Sequence, residues 1–214
     1  IEIDPRHFDT EHAAALAEAG INRASLGVQD FDPTIQKAIG RTQSFEQTAR
    51  TVDLLRGIGI ASISFDLMYG LPCQTAKSVA ASIHHALALD PTRLSLFGYA
   101  HVPWMKKHQT LIPEAALPSA DARVEQMRAA TEALIAAGYV AIGLDHFAKP
   151  DDPLARTQAQ GRLHQNFQGY TTDAAPALIG FGASSIGYLP QGYVQNAPNL
   201  KTYREAIESG VFAT

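Results

Sequence analysis

The sequence predicts an α/β fold: part of a (β/α) TIM-like barrel with parallel strands, followed by an α+β extension. Three observations predict it. Apolar, strand-like runs alternate with amphipathic helical ones up to about residue 150, the order that builds a parallel sheet. Each strand delivers polar or aromatic groups as it ends. In Ser64-Phe65-Asp66-Leu67-Met68-Tyr69-Gly70-Leu71-Pro72 an uncharged strand presents Asp66 and then turns at Gly70 and Pro72, and ligands bind at that end of such strands. After Pro150 the periodicity is lost. A complete eightfold barrel takes ~250 residues, and the whole chain has 214. Residues 1–150 are therefore read as part of a barrel, and 151–214 as an extension of it or a cover over its mouth.

The elements follow in order. Ile1-Glu2-Ile3 reads as a strand running into Asp4-Pro5. Asp9 caps a helix from about Glu11 to Ala19, ended by Gly20. A strand from Ile21 to Val28 exits into Gln29-Asp30-Phe31-Asp32-Pro33. A short helix spans Thr34 to Ile39. Ser44 with Gln47 makes a capping box for a helix to Arg56, and Gly57 and Gly59 lead into the Asp66 strand. Gly70, Leu71, Pro72 and Cys73 lie between Asp66 and the next helix, so Thr75 is the better cap for the segment that runs to Leu89. Arg93 to Ala100 is a strand exiting into His101, and Lys106 to Pro118 is an irregular, proline-punctuated connection. Ser119 opens a long helix to Ala137. Tyr139 to Leu144 reads as one more parallel strand, with Asp145, His146 and Lys149 at its exit. Beyond it, Asp151 to Arg162 is helical, His164 to Thr172 is polar and aromatic, Gln191 to Gln195 is a strand, and Asn199 caps a last helix from Leu200 to about Ser209.

Composition narrows the function. The chain is 46% hydrophobic and 18% charged, with a net charge of -4, which gives no electrostatic reason to expect nucleic acid or an anionic membrane. No apolar run approaches the ~20 residues of a membrane span. One cysteine, Cys73, permits no intrachain disulfide and fits a reducing, cytoplasmic setting; a monomer is expected. The start on Ile1-Glu2-Ile3, without Met and already strand-like, reads as a fragment.

The strand exits carry Glu2, Asp4, Gln29, Asp30, Arg41, Asp66, Tyr69, Tyr99, His101, Asp145, His146 and Lys149. Ionised carboxylates only accept hydrogen bonds, which suits hydroxyl and ammonium groups of a ligand. Arg41 suits a carboxylate, in bidentate fashion. Together they describe a site for a zwitterionic, polyhydroxylated molecule. No GxGxxG, P-loop or GxSxG motif is present, which removes the support for dinucleotide binding, NTP hydrolysis and α/β-hydrolase chemistry. The eight histidines lack zinc-site spacing. His84 and His85 are adjacent on a helix and point to different faces, and His101, His146 and His164 are better read as hydrogen-bonded loop histidines. No metal ligand is assigned. Cys73 is expected to be a buried or half-buried small hydrophobe, and Trp104 and Met105 packing or lid residues.

Six segments in order resemble one family: Glu2-Ile3-Asp4-Pro5-Arg6, Leu26-Gly27-Val28-Gln29-Asp30-Phe31, Asp66-Leu67-Met68-Tyr69-Gly70-Leu71-Pro72, Tyr99-Ala100-His101-Val102-Pro103, Gly143-Leu144-Asp145-His146-Phe147-Ala148 and Asn166-Phe167-Gln168-Gly169-Tyr170-Thr171-Thr172. They are similar to those of the oxygen-independent coproporphyrinogen III oxidases, radical S-adenosylmethionine (SAM) enzymes of haem biosynthesis. The resemblance implies a partial radical SAM barrel. It implies oxidative decarboxylation of two propionates of coproporphyrinogen III to give protoporphyrinogen IX, by a SAM-derived 5′-deoxyadenosyl radical, with an electron donor and acceptor outside the chain. By the same resemblance Glu2, Gln29, Arg41, Asp66, Ala100 and Ile186 contact a first SAM, Arg41 meeting the methionine carboxylate, and Phe167 and Gln168 hold a second. The substrate's carboxylates would pair among Arg23, Lys149, Arg162, His146 and His164. The family holds a [4Fe–4S] cluster with three cysteines in a CxxxCxxC loop, whereas Cys73 stands alone in another context. The chain is accordingly read as a fragment lacking the N-terminal cluster-binding part, inactive by itself, with 1–150 the C-terminal part of the radical SAM barrel and 151–214 the start of the extension covering its mouth. A haem chaperone of the same superfamily is the alternative, and an unrelated (β/α) barrel enzyme without a cluster a third.

Overall fold

The computed structural model describes residues 1–167 and 169–214. They form two compact units, Ile1–Ala155 and Arg156–Thr214.

In the first unit, β1 (Glu2–Ile3) is followed by α1 (Thr10–Glu18), β2 (Arg23–Gln29), α2 (Pro33–Ala38), α3 (Phe45–Gly57), β3 (Ser62–Tyr69), α4 (Ala76–Ala88) and β4 (Arg93–Gly98). Two short 3₁₀ turns then lead to α5 (Ala120–Ala136), β5 (Val140–Ile142) and β6 (His146–Ala148). The caps are those the sequence offers. The Asp9 carboxylate accepts the N–H groups of Glu11 and His12. Ser44 and Gln47 close a reciprocal capping box, as do Thr75 and Ser78. Ser119 accepts from Ala122 N.

The six strands lie in the order β1-β2-β3-β4-β6-β5. β1 to β4 are mutually parallel, as crossover helices between successive strands require. Alternation sorts β2 and β3 into two faces. Ala24, Leu26, Val28, Ile63, Phe65 and Leu67 join Leu94 and Leu96 in the core, against Val52 and Leu55 of α3, Val79 and Ile83 of α4, and Ala130 and Leu134 of α5. The other face carries Ser25, Gly27, Ser64, Asp66 and Ser95. A sheet with helices on one side and polar groups on the other is the wall of a partial (β/α) barrel.

The last strand departs from the sequence reading. Tyr139–Leu144 is not one parallel strand: only Val140–Ile142 is extended, and β6 returns antiparallel to both β5 and β4. Gly143, at φ 59°, supplies the turn, a conformation open to glycine. Asp145 therefore sits in a hairpin turn, where its carbonyl accepts Leu96 N at 2.7 Å. Lys149 is carried back to the start of β4, bonding Thr92 O through its N–H and Asp90 through Nζ, and is not at a strand exit. Asp66 also shifts in meaning: its strand continues to Tyr69, so the carboxylate lies within the strand and not at its end.

The unit boundary falls inside α6 (Pro153–Ala159). In the second unit, β7 (His164–Asn166) and β8 (Gly169–Thr171) form one antiparallel pair, and β9 (Ile186–Leu189) and β10 (Gly192–Gln195) another. Asn199 caps α7 (Leu200–Glu208) through Lys201 N and Thr202 N. Asn196 Nδ2 binds the carbonyls of Gly180 and Gly182, and Tyr203 Oη accepts Gly182 N, which ties the glycine-rich loop to the helix.

Candidate functional site

The polar face is organised across the strands. Residues in register on adjacent strands present their side chains to the same face, and one row runs Gly27, Asp66, Ser95. Asp66 is half-buried and accepts from Ser25 Oγ at 2.9 Å. Ser95, buried beside it, is its second hydroxyl partner. Burial raises the Asp66 carboxyl above the ordinary value, against these hydrogen bonds and the charge of His146. Desolvation therefore outweighs local solvation by two serines, and a ligand that donates to this carboxylate recovers part of that cost.

Beside Asp66 the missing side chain of Gly27 leaves room for two others. A Cβ there would lie 3.2 Å from Gln29 Nε2 and 3.3 Å from Arg41 Nη2. Gln29 reaches that point because the β2–β3 register slips between Gly27 and Gln29, with Gln29 at φ 69°; strain in a non-glycine residue of this kind is characteristic of functional positions. Arg41 Nη2 donates to Gly27 O at 2.7 Å and Nη1 to Asp4 Oδ2 at 3.2 Å, while its buried Nε has no partner among the described residues. Burial lowers the Arg41 pKa and Asp4 opposes it. Arg6 makes the strongest claim on Asp4, through a 2.6 Å contact that holds the Asp4 carboxyl well below the usual carboxylate range. Glu2, exposed, stands in register with Ser25. Glu2, Gln29, Arg41 and Asp66 are thus gathered on three neighbouring strands and the loop beyond them.

The other residues named from sequence fall elsewhere. Ala100 is exposed just past β4, and its carbonyl accepts from Gln109 Nε2. Tyr99 is buried and its hydroxyl meets His101 Nδ1 at 3.1 Å. Asp30 is structural: at 1% exposure it takes hydrogen bonds from Asp32 N, Ser82 Oγ and Gln74 Nε2, which anchor the β2 exit to α4. Ile186 and Phe167 belong to the second unit. Ile186 begins β9, and Phe167, 63% exposed, has its ring 5.8 Å from that of Tyr193, which contacts Tyr188. Gln168 lies outside the described residues. Cys73 is exposed with φ 65°, not buried, because it occupies the loop between Pro72 and Thr75 where its N–H bonds Ala116 O. Trp104 and Met105 are exposed.

Sequence reasoning passed over Ser25, Ser95 and Gln126. The fully buried Gln126 accepts Gly70 N and donates to Gln74 O, both at 2.8 Å, and so fixes the loop after β3. The alternation Arg23, Ser25, Gly27, Gln29 against Ala24, Leu26, Val28 is the signal that marks the serine as facing the site.

These residues fit one cofactor and not another. Carboxylates and an amide for hydroxyl and ammonium groups, with a guanidinium whose buried Nε has no partner among the described residues, match the chemistry of SAM. A cluster of iron and sulfide needs cysteine ligands, and Cys73 is the only cysteine. No group of three or more His, Cys, Asp or Glu is placed to hold a metal among the described residues. The chain does not itself supply a [4Fe–4S] site.

Comparison with known proteins gives the class first. Residues 1–86 match the radical SAM superfamily, and that stretch contains Glu2, Gln29, Arg41 and Asp66. SAM and a [4Fe–4S] cluster are what that family implies. The whole chain then matches something narrower. It is 55% identical over all 214 residues to the oxygen-independent coproporphyrinogen III oxidase of Paracoccus denitrificans, covering 48% of that protein. It is equally identical, with the same coverage, to that of Bradyrhizobium diazoefficiens. Its structure matches the coproporphyrinogen III oxidase HemN of Escherichia coli, a radical SAM enzyme, with a TM-score of 0.91 at 40% identity, over 100% of this chain and 49% of that one. The resemblance read from the sequence holds along the entire chain, which spans about half the length of the curated relatives it matches.

Proposed function

We propose that this chain supplies the SAM-binding wall of an oxygen-independent coproporphyrinogen III oxidase, which converts two propionates of coproporphyrinogen III to vinyl groups with loss of CO2. The observation that carries the reading is the gathering of Gln29, Arg41 and Asp66 around Gly27, with Glu2 in register with Ser25, in a chain that matches half of the relative's fold over its own whole length. Residues 1–150 act as the barrel part and 151–214 as the extension.

SAM, when bound, supplies the hydrogen-abstracting 5′-deoxyadenosyl group. The chain's own residues bind and orient it. Asp66, steadied by Ser25 and Ser95, accepts from ligand hydroxyl or ammonium groups, and Glu2 does the same from β1. Arg41 takes the methionine carboxylate with the guanidinium already steadied by Asp4, and Gln29 offers an amide donor and acceptor. Ala100 contributes through its backbone, and Ile186 by apolar contact. Phe167 and Gln168 serve a second SAM; the exposed Phe167 ring is the support for that assignment. A cluster held by three cysteines draws them from outside these 214 residues, and the electron donor and acceptor are further partners. No helix among the described residues is long and apolar enough to cross a membrane. With a net charge of -4, the reading is of a cytoplasmic monomer that works without membrane or nucleic acid.

The test uses protein expressed from the whole gene, under anaerobic reducing conditions with SAM and coproporphyrinogen III, followed by chromatography of the oxidised products. Protoporphyrin with release of two CO2 supports the proposal. Tight haem retention without product would replace the oxidase by a chaperone of the same superfamily.

A further inference from the structure

Two arginines share the Asp4 carboxylate, and they do so unequally. β1 ends at Ile3 and Pro5 opens a 3₁₀ turn over Pro5–His7, so the chain folds back and lays Arg6 across Asp4. The carboxylate caps that turn by accepting Arg6 N at 3.1 Å. It also accepts Arg6 Nε at Oδ1 (3.0 Å) and Oδ2 (3.2 Å), and Arg6 Nη2 at Oδ2 (2.6 Å). One guanidinium thus engages both oxygens, the forked pairing that makes the stronger kind of ion pair. Arg41 reaches the same carboxylate through Nη1 alone, at 3.2 Å. The carboxyl responds accordingly: the Arg6 hydrogen bond is the largest influence holding it well below the usual range, and the Arg41 charge is a smaller one.

Arg41 is left with donors to spare. A guanidinium has five N–H groups. Nη2 donates to Gly27 O at 2.7 Å and Nη1 to Asp4, while the buried Nε has no partner among the described residues. The side chain keeps 21% exposure, so part of it is open to a ligand. Two guanidinium charges against one carboxylate leave one positive charge, which an ionised carboxylate of a ligand balances. We propose that Arg6 is a positioning residue for that ligand: by occupying the Asp4 carboxylate it keeps the Arg41 guanidinium available to bind the ligand's carboxylate. The inference rests on the function proposed above, in which the carboxylate is that of the methionine end of SAM. When Arg6 is removed, Asp4 turns to Arg41 and competes with the ligand for the same N–H groups. Burial works against the charge on Arg41 and Asp4 supports it, which draws the two together once Asp4 is released.

The test changes the ligand as well as the protein. Protein expressed from the whole gene is titrated calorimetrically with SAM and with decarboxylated SAM, which keeps the sulfonium, the ribose and the adenine. The native protein is expected to prefer SAM, and Arg6→Ala to cut that preference at least about fivefold, the size of one partly exposed charge contact. Arg6→Lys, which keeps the charge without the fork, retains more of the preference than Arg6→Ala. Arg6→Ala combined with Asp4→Asn restores it, because the competing carboxylate is gone. Arg6→Gln carries the same comparison should Arg6→Ala not fold. Equal weakening of both ligands, with the preference intact, makes Arg6 a structural residue and overturns the proposal while the proposed function stands. A preference that the double variant does not recover overturns it as well. Native protein that binds both ligands alike has no carboxylate contact to protect, and the proposal falls; native protein that binds neither overturns the proposal and counts against the function too.

Discussion

Replacing Asp66 with asparagine separates holding a ligand from holding the fold. Asp66 accepts from Ser25 at 2.9 Å, and burial raises its carboxyl above the ordinary value. A carboxyl whose folded pKa is raised stabilises the fold below its unfolded pKa of about 3.9, and that contribution is lost as pH rises through the folded value. At neutral pH the ionised group is therefore a net cost. Asparagine keeps the shape and an acceptor for Ser25 and removes that cost, so stability at pH 7 is expected to be unchanged or higher, and less dependent on pH between 4 and 7. The ligand loses a hydrogen bond to a charged acceptor, worth about 1.5–3 kcal/mol, or roughly 10- to 150-fold in SAM affinity. Urea unfolding at both pH values and calorimetric titration with SAM read the two quantities on the same protein. Loss of more than about 2 kcal/mol of stability with SAM affinity intact would refute the reasoning and make Asp66 a structural residue.

Three other substitutions test the parts around it. Gly27→Ala meets only the ends of the Gln29 and Arg41 side chains, and Ala is about 0.5–1 kcal/mol better than Gly in a strand; thermal melting should barely move while SAM titration shows weaker binding. Gln126→Leu strands the buried Gly70 N–H and Gln74 carbonyl, for a loss of about 2–5 kcal/mol, seen as a lower urea midpoint with unchanged slope. Arg93→Ala leaves Asp152, 5% exposed in its side chain, without its ion-pair partner, and about 3–5 kcal/mol should disappear from the same unfolding curve.

Much of this architecture is legible in the sequence because its signals are local. Asp9, Ser44 with Gln47, Thr75, Ser119 and Asn199 each cap the helix they precede, since a side-chain acceptor within three residues of free N–H groups needs no tertiary partner. That Glu2, Gln29 and Asp66 come together follows from parallel strands paired in register, with Asp66 inside its strand and not at the exit. What escapes is decided by distant pairing. Tyr139–Leu144 has strand composition, but composition does not fix direction, and the Gly143 turn that sends β6 back depends on β4 having a free edge. Asp30 and Asp66 look alike as acidic residues near strand ends, yet Asp30 is bound by Gln74 and Ser82 from α4 and its approach and Asp66 by serines on its own sheet. Cys73 resembles a core residue by type alone; its exposure follows from the left-handed loop it occupies. Ser25 and Ser95 acquire meaning only once the register places them beside a carboxylate.

The account's central claim is that the Gly27–Asp66 region of the sheet is where SAM binds. Titrating SAM into isotopically labelled chain while following backbone amide resonances tests it most directly. The account predicts saturable shifts centred on Glu2, Gly27, Gln29, Arg41 and Asp66 that fade in Asp66→Asn. Shifts centred elsewhere in the first unit, or the same shifts in the variant, would contradict it.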